Sequence, residues 1–125
     1  MLKVLSTLGL SAALLLPTYA MADDAAMAAA GQQVFATQCT ACHSADSSKN
    51  TFGPSLSGVA GRKAGSLPRF AYSEAMSQAD FSWSDDNLRK WISDNDAFVP
   101  GTRMRHVAIT DQAQQDYLIA YLKTL

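Results

Sequence analysis

The run Cys39-Thr40-Ala41-Cys42-His43 constrains this chain more than any other stretch. Two thiols spaced by two residues can each form a thioether to one arm of a haem. The histidine that follows can then reach the iron from one face, so the spacing predicts a c-type haem attachment site. The sequence holds two cysteines in all, and the motif uses both. Three other readings compete. A thioredoxin-like redox disulfide wants a βαβ setting, and nothing in the sequence alternates that way. A structural zinc site needs four ligands, which Cys39, Cys42, His43 and His106 could supply in number, though in a spacing unlike any zinc finger. A plain disulfide would leave His43 without a role.

The N-terminus predicts export. Lys3 gives a short positive start, residues 4–16 are uncharged and mostly apolar, and Pro17 ends the run. Ala20-Met21-Ala22 then offers a small-x-small cleavage site ahead of Asp23. The apolar run falls short of the roughly 20 residues of a spanning helix. Retention as an anchor is the competing reading, and no cysteine follows at which a lipid could be attached. The expected organisation is therefore a secretory signal over 1–22 and one domain over 23–125. Free thiols in an oxidising compartment tend to pair, so haem attachment must claim them during maturation. A formal net charge of −1 is unlike the strongly basic surface of a nucleic-acid binder.

Helical periodicity marks both ends of the domain. Met27, Gly31, Val34, Phe35 and Gln38 recur at three- and four-residue steps, with Asp23 or Asp24 placed to cap the helix. Gly31 weakens a helix relative to alanine, but beside Phe35 it lets another helix come close. Thr110-Asp111 is a second cap signal, ahead of the apolar stripe Tyr117, Leu118, Tyr121 and Leu122. A third helix begins at Ser84, with Asp85 and Asp86 in its first turn and Leu88, Trp91 and Ile92 facing inward. A short helical turn is expected around residues 73–78. Between Ser44 and Tyr72, glycines and prolines break every period, which predicts loop. Loops that long are uncommon in a compact domain, but a large rigid cofactor gives this one a surface to pack on. The expected fold class is all-α, one domain built around a haem.

An iron held by His43 needs a second ligand or an open position. Met27, Met76, Met104 and His106 are the candidates in the mature chain. Methionine usually fills irregular core gaps, and the helical stripe explains Met27 while packing explains Met76. Met104 differs because Pro100-Gly101-Thr102-Arg103 leads into it as a rigid turn. Met/His ligation raises the reduction potential, and a six-coordinate iron favours electron transfer over catalysis.

The chain resembles the class I cytochromes c of bacteria and mitochondria over nearly all of residues 24–125. Besides the cysteine motif, the resemblance lies in Gly31-Gln-Gln-Val34-Phe35, Gly53-Pro54-Ser-Leu56-Ser-Gly58-Val-Ala-Gly61-Arg62-Lys-Ala-Gly65 and Phe70-Ala-Tyr72-Ser73. It continues through Trp83, Pro100-Gly101-Thr102-Arg103-Met104 and Leu118-Ile-Ala-Tyr121-Leu122-Lys123. It implies haem c held by Cys39 and Cys42, with His43 and Met104 as axial ligands. It also implies that the Pro54 carbonyl accepts the outer N–H of His43, and that Gly31 and Phe35 cross Leu118 and Tyr121. Arg62, Tyr72 and Trp83 match positions that neutralise or bond one haem propionate, and Thr102 matches one that bonds the other. An aromatic core role is the alternative for Tyr72 and Trp83.

Three departures concern the methionine side. Trp91 stands where a tyrosine is common, His106 where an aromatic shields the haem edge, and Met76 where many members have a polar residue. Arg103, Asp96 and Ala97 occupy positions that are lysine in the basic mitochondrial members, so long-range steering is expected to be weaker. Arg69, Arg103 and Arg105 are expected to keep a local positive patch. The function implied is that of a monomeric, soluble, periplasmic one-electron carrier and not an enzyme. Its partners would be a cytochrome bc-type complex, a terminal oxidase or a periplasmic dehydrogenase, docked transiently and without membrane insertion. The alternatives are a dedicated cytochrome subunit of one dehydrogenase, or a haem enzyme or ligand-binding protein with a labile Met104 bond.

Overall fold

A computed structural model describes residues 19–105 and 108–125, with side chains from Asp23 onward. Five helices follow one another: α1 (Tyr19–Gln38), α2 (Glu74–Ser77), α3 (Asp85–Ser93), α4 (Asn95–Phe98) and α5 (Gln112–Leu122). Among the described residues the only β pairing is a single antiparallel bridge between Lys63 and Ser82. The all-α expectation therefore holds.

Three helix starts are set by side-chain oxygens that satisfy amides the helix itself cannot bond. Ser73 accepts from the Met76 amide at α2, Ser84 from the Asn87 amide at α3, and Asp111 from the Gln114 amide at α5. The three starts agree with the sequence reading, which places a cap at Thr110-Asp111, a helix start at Ser84 and a helical turn around residues 73–78. The start of α1 does not. Asp23 and Asp24 lie inside a helix that begins at Tyr19, within the expected signal segment, so in the full-length chain they do not cap it. The run between Tyr19 and Gly31 is rich in alanine and methionine and holds no proline or glycine to stop the helix earlier. The expected signal segment lies outside the described residues up to residue 18. Helix α4 was not anticipated; Asp94 caps it by accepting from the Ala97 amide at 3.0 Å.

The packing of α1 on α5 is the most extensive between any two helices. Its centre is Gly31, where an added Cβ would lie 1.8 Å from the Tyr117 carbonyl oxygen and 2.8 Å from Tyr121 Cβ. One turn later the Phe35 ring meets that of Tyr121 with centroids 5.2 Å apart. Leu118, on the same face of α5, is fully buried. The expected crossing is thus present, with Tyr117 as an additional contact.

The long segment between α1 and α2 is ordered by specific bonds. Leu56 donates to the Ser44 carbonyl, and the Ser55 hydroxyl to that of Asp46. Ala64 and Trp83 form backbone bonds with Phe81 and Arg62 on either side of the Lys63–Ser82 bridge. Gly58 donates to the Leu125 carbonyl, tying the loop to the chain's last residue.

Candidate haem-binding site

Helix α1 delivers the cysteines. The Cys39 amide still bonds the Phe35 carbonyl at 2.9 Å, and the amides of Cys42 and His43 both return to the Cys39 carbonyl at 3.0 and 2.9 Å. The motif is therefore one tight turn wound on the end of a helix. Both thiols are half-buried and outside any disulfide. Burial, and then the neighbouring Cys42, pushes the Cys39 thiol up to about 11, so at neutral pH it is a neutral thiol.

His43 is buried, with Nδ1 2.8 Å from the Pro54 carbonyl oxygen. A carbonyl only accepts, so Nδ1 carries the proton and the lone pair resides on Nε2. Gly53 lets the loop pass this close. A Cβ there would lie 2.5 Å from His43 Cε1 and 2.9 Å from the Cys42 carbonyl oxygen. The Gly53 amide and the Thr51 hydroxyl both donate to that carbonyl, which fixes the loop against the motif.

Met104 lies in the loop after α4, half-buried against the main hydrophobic cluster. Gly101, at φ +86°, turns the chain into this loop, and the Thr102 amide bonds the Val99 carbonyl. Both backbone polar groups of Met104 are held by side chains. Its amide donates to Thr102 Oγ1 at 3.4 Å, and its carbonyl accepts from Asn95 Nδ2 at 2.7 Å. Asn95 is a residue that sequence reasoning missed, because nothing local marks an asparagine as reaching a carbonyl nine positions away.

Cys39, Tyr72 and Met104 border the cluster that contains Trp83 and Trp91. The two indoles meet edge-to-face with centroids 5.3 Å apart. They are only 8% and 9% exposed, and neither N–H finds an acceptor among the described residues. The hydroxyl of Thr102, 5% exposed, likewise has no acceptor there for its proton. Buried donors are normally bonded, so these three call for acceptors that the described residues do not provide. Arg62 differs from its neighbours: its guanidinium donates to the Ser57 and Ser55 carbonyls, at 2.9 and 3.2 Å. It thus braces the backbone next to Pro54, with further donors left for a carboxylate.

The expected positive patch is smaller than the sequence implied. Arg105 forms a two-oxygen ion pair with Asp96 at 3.0 and 2.9 Å. Arg103, by contrast, is exposed and donates to the uncharged Ala71 carbonyl. Met76 is buried core under the α2 cap, as its packing role requires. His106 lies outside the described residues.

Residues 28–125 match the family model described as Cytochrome c. The chain belongs to the cytochrome c family. It is 41% identical over 97 residues to cytochrome c2 of Blastochloris viridis, covering 77% of this chain and 76% of that protein. It is 38% identical over 95 residues to cytochrome c of Euglena viridis, covering 76% of this chain and 93% of that one. Cytochrome cH from Methylobacterium extorquens is similar in structure, with a TM-score of 0.73 and 42% identity over 78% of this chain and 98% of that one. As a cytochrome c the protein carries haem c and serves electron transfer between redox proteins; it is not an enzyme. The donor set fits that group: an adjacent thiol pair, an imidazole with its Nε2 lone pair directed by Pro54, and buried donors lacking acceptors among the described residues.

Proposed function

We propose that this cytochrome c is a periplasmic carrier whose haem is bonded by Cys39 and Cys42 and ligated by His43 and Met104. When bound, the haem supplies an iron that alternates between two oxidation states. The polypeptide's part is to keep both ligands in place, so that little rearrangement accompanies the change. The observation that carries this reading is the His43–Pro54 bond, 2.8 Å long. It fixes the ring and its tautomer and raises the basicity of Nε2, as partners of metal-bound histidines do. Trp83, Tyr72 and Thr102 are suited to donate to the propionates, with Arg62 adding charge, since a buried carboxylate without partners is costly. Donors and acceptors are expected among cytochrome bc-type complexes, terminal oxidases and periplasmic dehydrogenases. No helix among the described residues is long and apolar enough to cross a membrane.

Substitution of the candidate methionines tests the ligand set. In the oxidised holoprotein, Met104→Ala should abolish the iron–sulfur charge-transfer absorption and lower the reduction potential. Met76→Leu and Met27→Leu should leave the absorption in place. Retention of the absorption in Met104→Ala would assign the bond to another sulfur.

A further inference from the structure

We infer that Asn95 is the positioning residue that keeps the Met104 loop closed, with the Arg105–Asp96 pair as a weaker second tie. The inference rests on Met104 being the ligand, and it assigns the closing force to named side chains of this chain. Residues 95 and 96 open α4, and residues 104 and 105 lie at the far end of the loop that Gly101 turns. Two bonds join these ends side by side. Asn95 Nδ2 donates to the Met104 carbonyl at 2.7 Å, and the Arg105 guanidinium to both Asp96 oxygens.

The two ties differ in weight. Asn95 is 7% exposed, so opening the loop would leave a buried amide and a carbonyl to find other partners. The Arg105–Asp96 pair is well exposed on both sides, and such pairs contribute little. The near end is itself fixed: the Asp94 carboxylate caps α4, and the Asp94 amide bonds the Lys90 carbonyl of α3. Asn95 therefore ties Met104 to a helix already anchored to the core. Since Thr102 holds the Met104 amide, releasing the carbonyl frees the one end of that residue on which the loop's register depends.

An added ligand that must displace Met104 reads the loop's open fraction, because apparent affinity scales with the competent population. The probe is imidazole, titrated into the oxidised holoprotein and followed by loss of the iron–sulfur charge-transfer absorption. Asn95→Ala should bind imidazole about fivefold to tenfold more tightly than the parent, the effect of one lost buried hydrogen bond. Asn95→Leu keeps the bulk without the donor and should do the same, which covers a failure of the alanine variant to fold. Arg105→Gln should change the affinity by less than about twofold. Ser55→Ala removes a buried hydroxyl that bonds the Asp46 carbonyl in the His43-side loop, and should leave the affinity unchanged. Parental affinity in both Asn95 variants, or an equal gain in Ser55→Ala, would overturn the inference. An unsubstituted protein without the absorption would instead overturn Met104 ligation, and this inference with it.

Discussion

A single carbon added at Gly53 would sit 2.5 Å from His43 Cε1 and 2.9 Å from the Cys42 carbonyl oxygen. Neither neighbour can yield cheaply, because the ring is bonded to Pro54 and the carbonyl already accepts from Gly53 and Thr51. Gly53→Ala should therefore cost about 1–3 kcal/mol of stability, the usual range for overpacking. Denaturant unfolding of the holoprotein measures it, and an unchanged midpoint would show that the loop has slack. The residue scale is also where the sequence was most and least informative. The roles proposed for Cys39, Cys42 and His43 follow from local spacing, and that of Pro54 from the family resemblance. The Asn95–Met104 bond follows from neither. It exists only because a turn at Gly101 folds two distant backbone positions together.

At the scale of elements, the α1–α5 crossing depends on the lack of a side chain at Gly31. Gly31→Ala would gain intrinsic helix propensity of up to about 1 kcal/mol, yet its Cβ would fall 1.8 Å from the Tyr117 carbonyl oxygen. Since that atom belongs to the backbone of α5, the helices must separate. We expect a net loss of about 3 kcal/mol or more, seen as a lowered unfolding midpoint; a stabilised variant would show that propensity outweighs contact. Helices α2, α3 and α5 were legible because Ser73, Ser84 and Asp111 announce their starts. The start of α1 differs from the expected cap because, in the full-length chain, the residues from Tyr19 to Ala22 continue the helix ahead of Asp23 and Asp24. Helix α4 spans four residues, too few for a period to show.

At the scale of the whole molecule, five of the nine lysines and arginines among the described residues are held in ion pairs. Lys49, Lys63, Arg89, Arg105 and Lys123 each pair with an aspartate, and the formal net charge is −1. The pairing of Arg105 could not be read from the sequence, since Asp96 reaches it only through the loop that carries Met104. Arg103 remains beside Met104 as an exposed cation without an acidic partner among the described residues. Encounter with an anionic redox partner should therefore depend weakly on ionic strength. We expect the association rate to fall less than about tenfold between low and physiological salt. A fall of two decades or more would reveal a steering field that these pairs do not leave.

The most direct test of a closed, His43/Met104-ligated carrier is a potentiometric titration of the holoprotein, followed by visible absorption. The oxidised form should show the iron–sulfur charge-transfer absorption at neutral pH. It should disappear in one reversible one-electron step, at the raised potential that Met/His ligation confers. An oxidised form without that absorption, or an iron that binds added ligands as readily as an open site, would contradict the closed carrier.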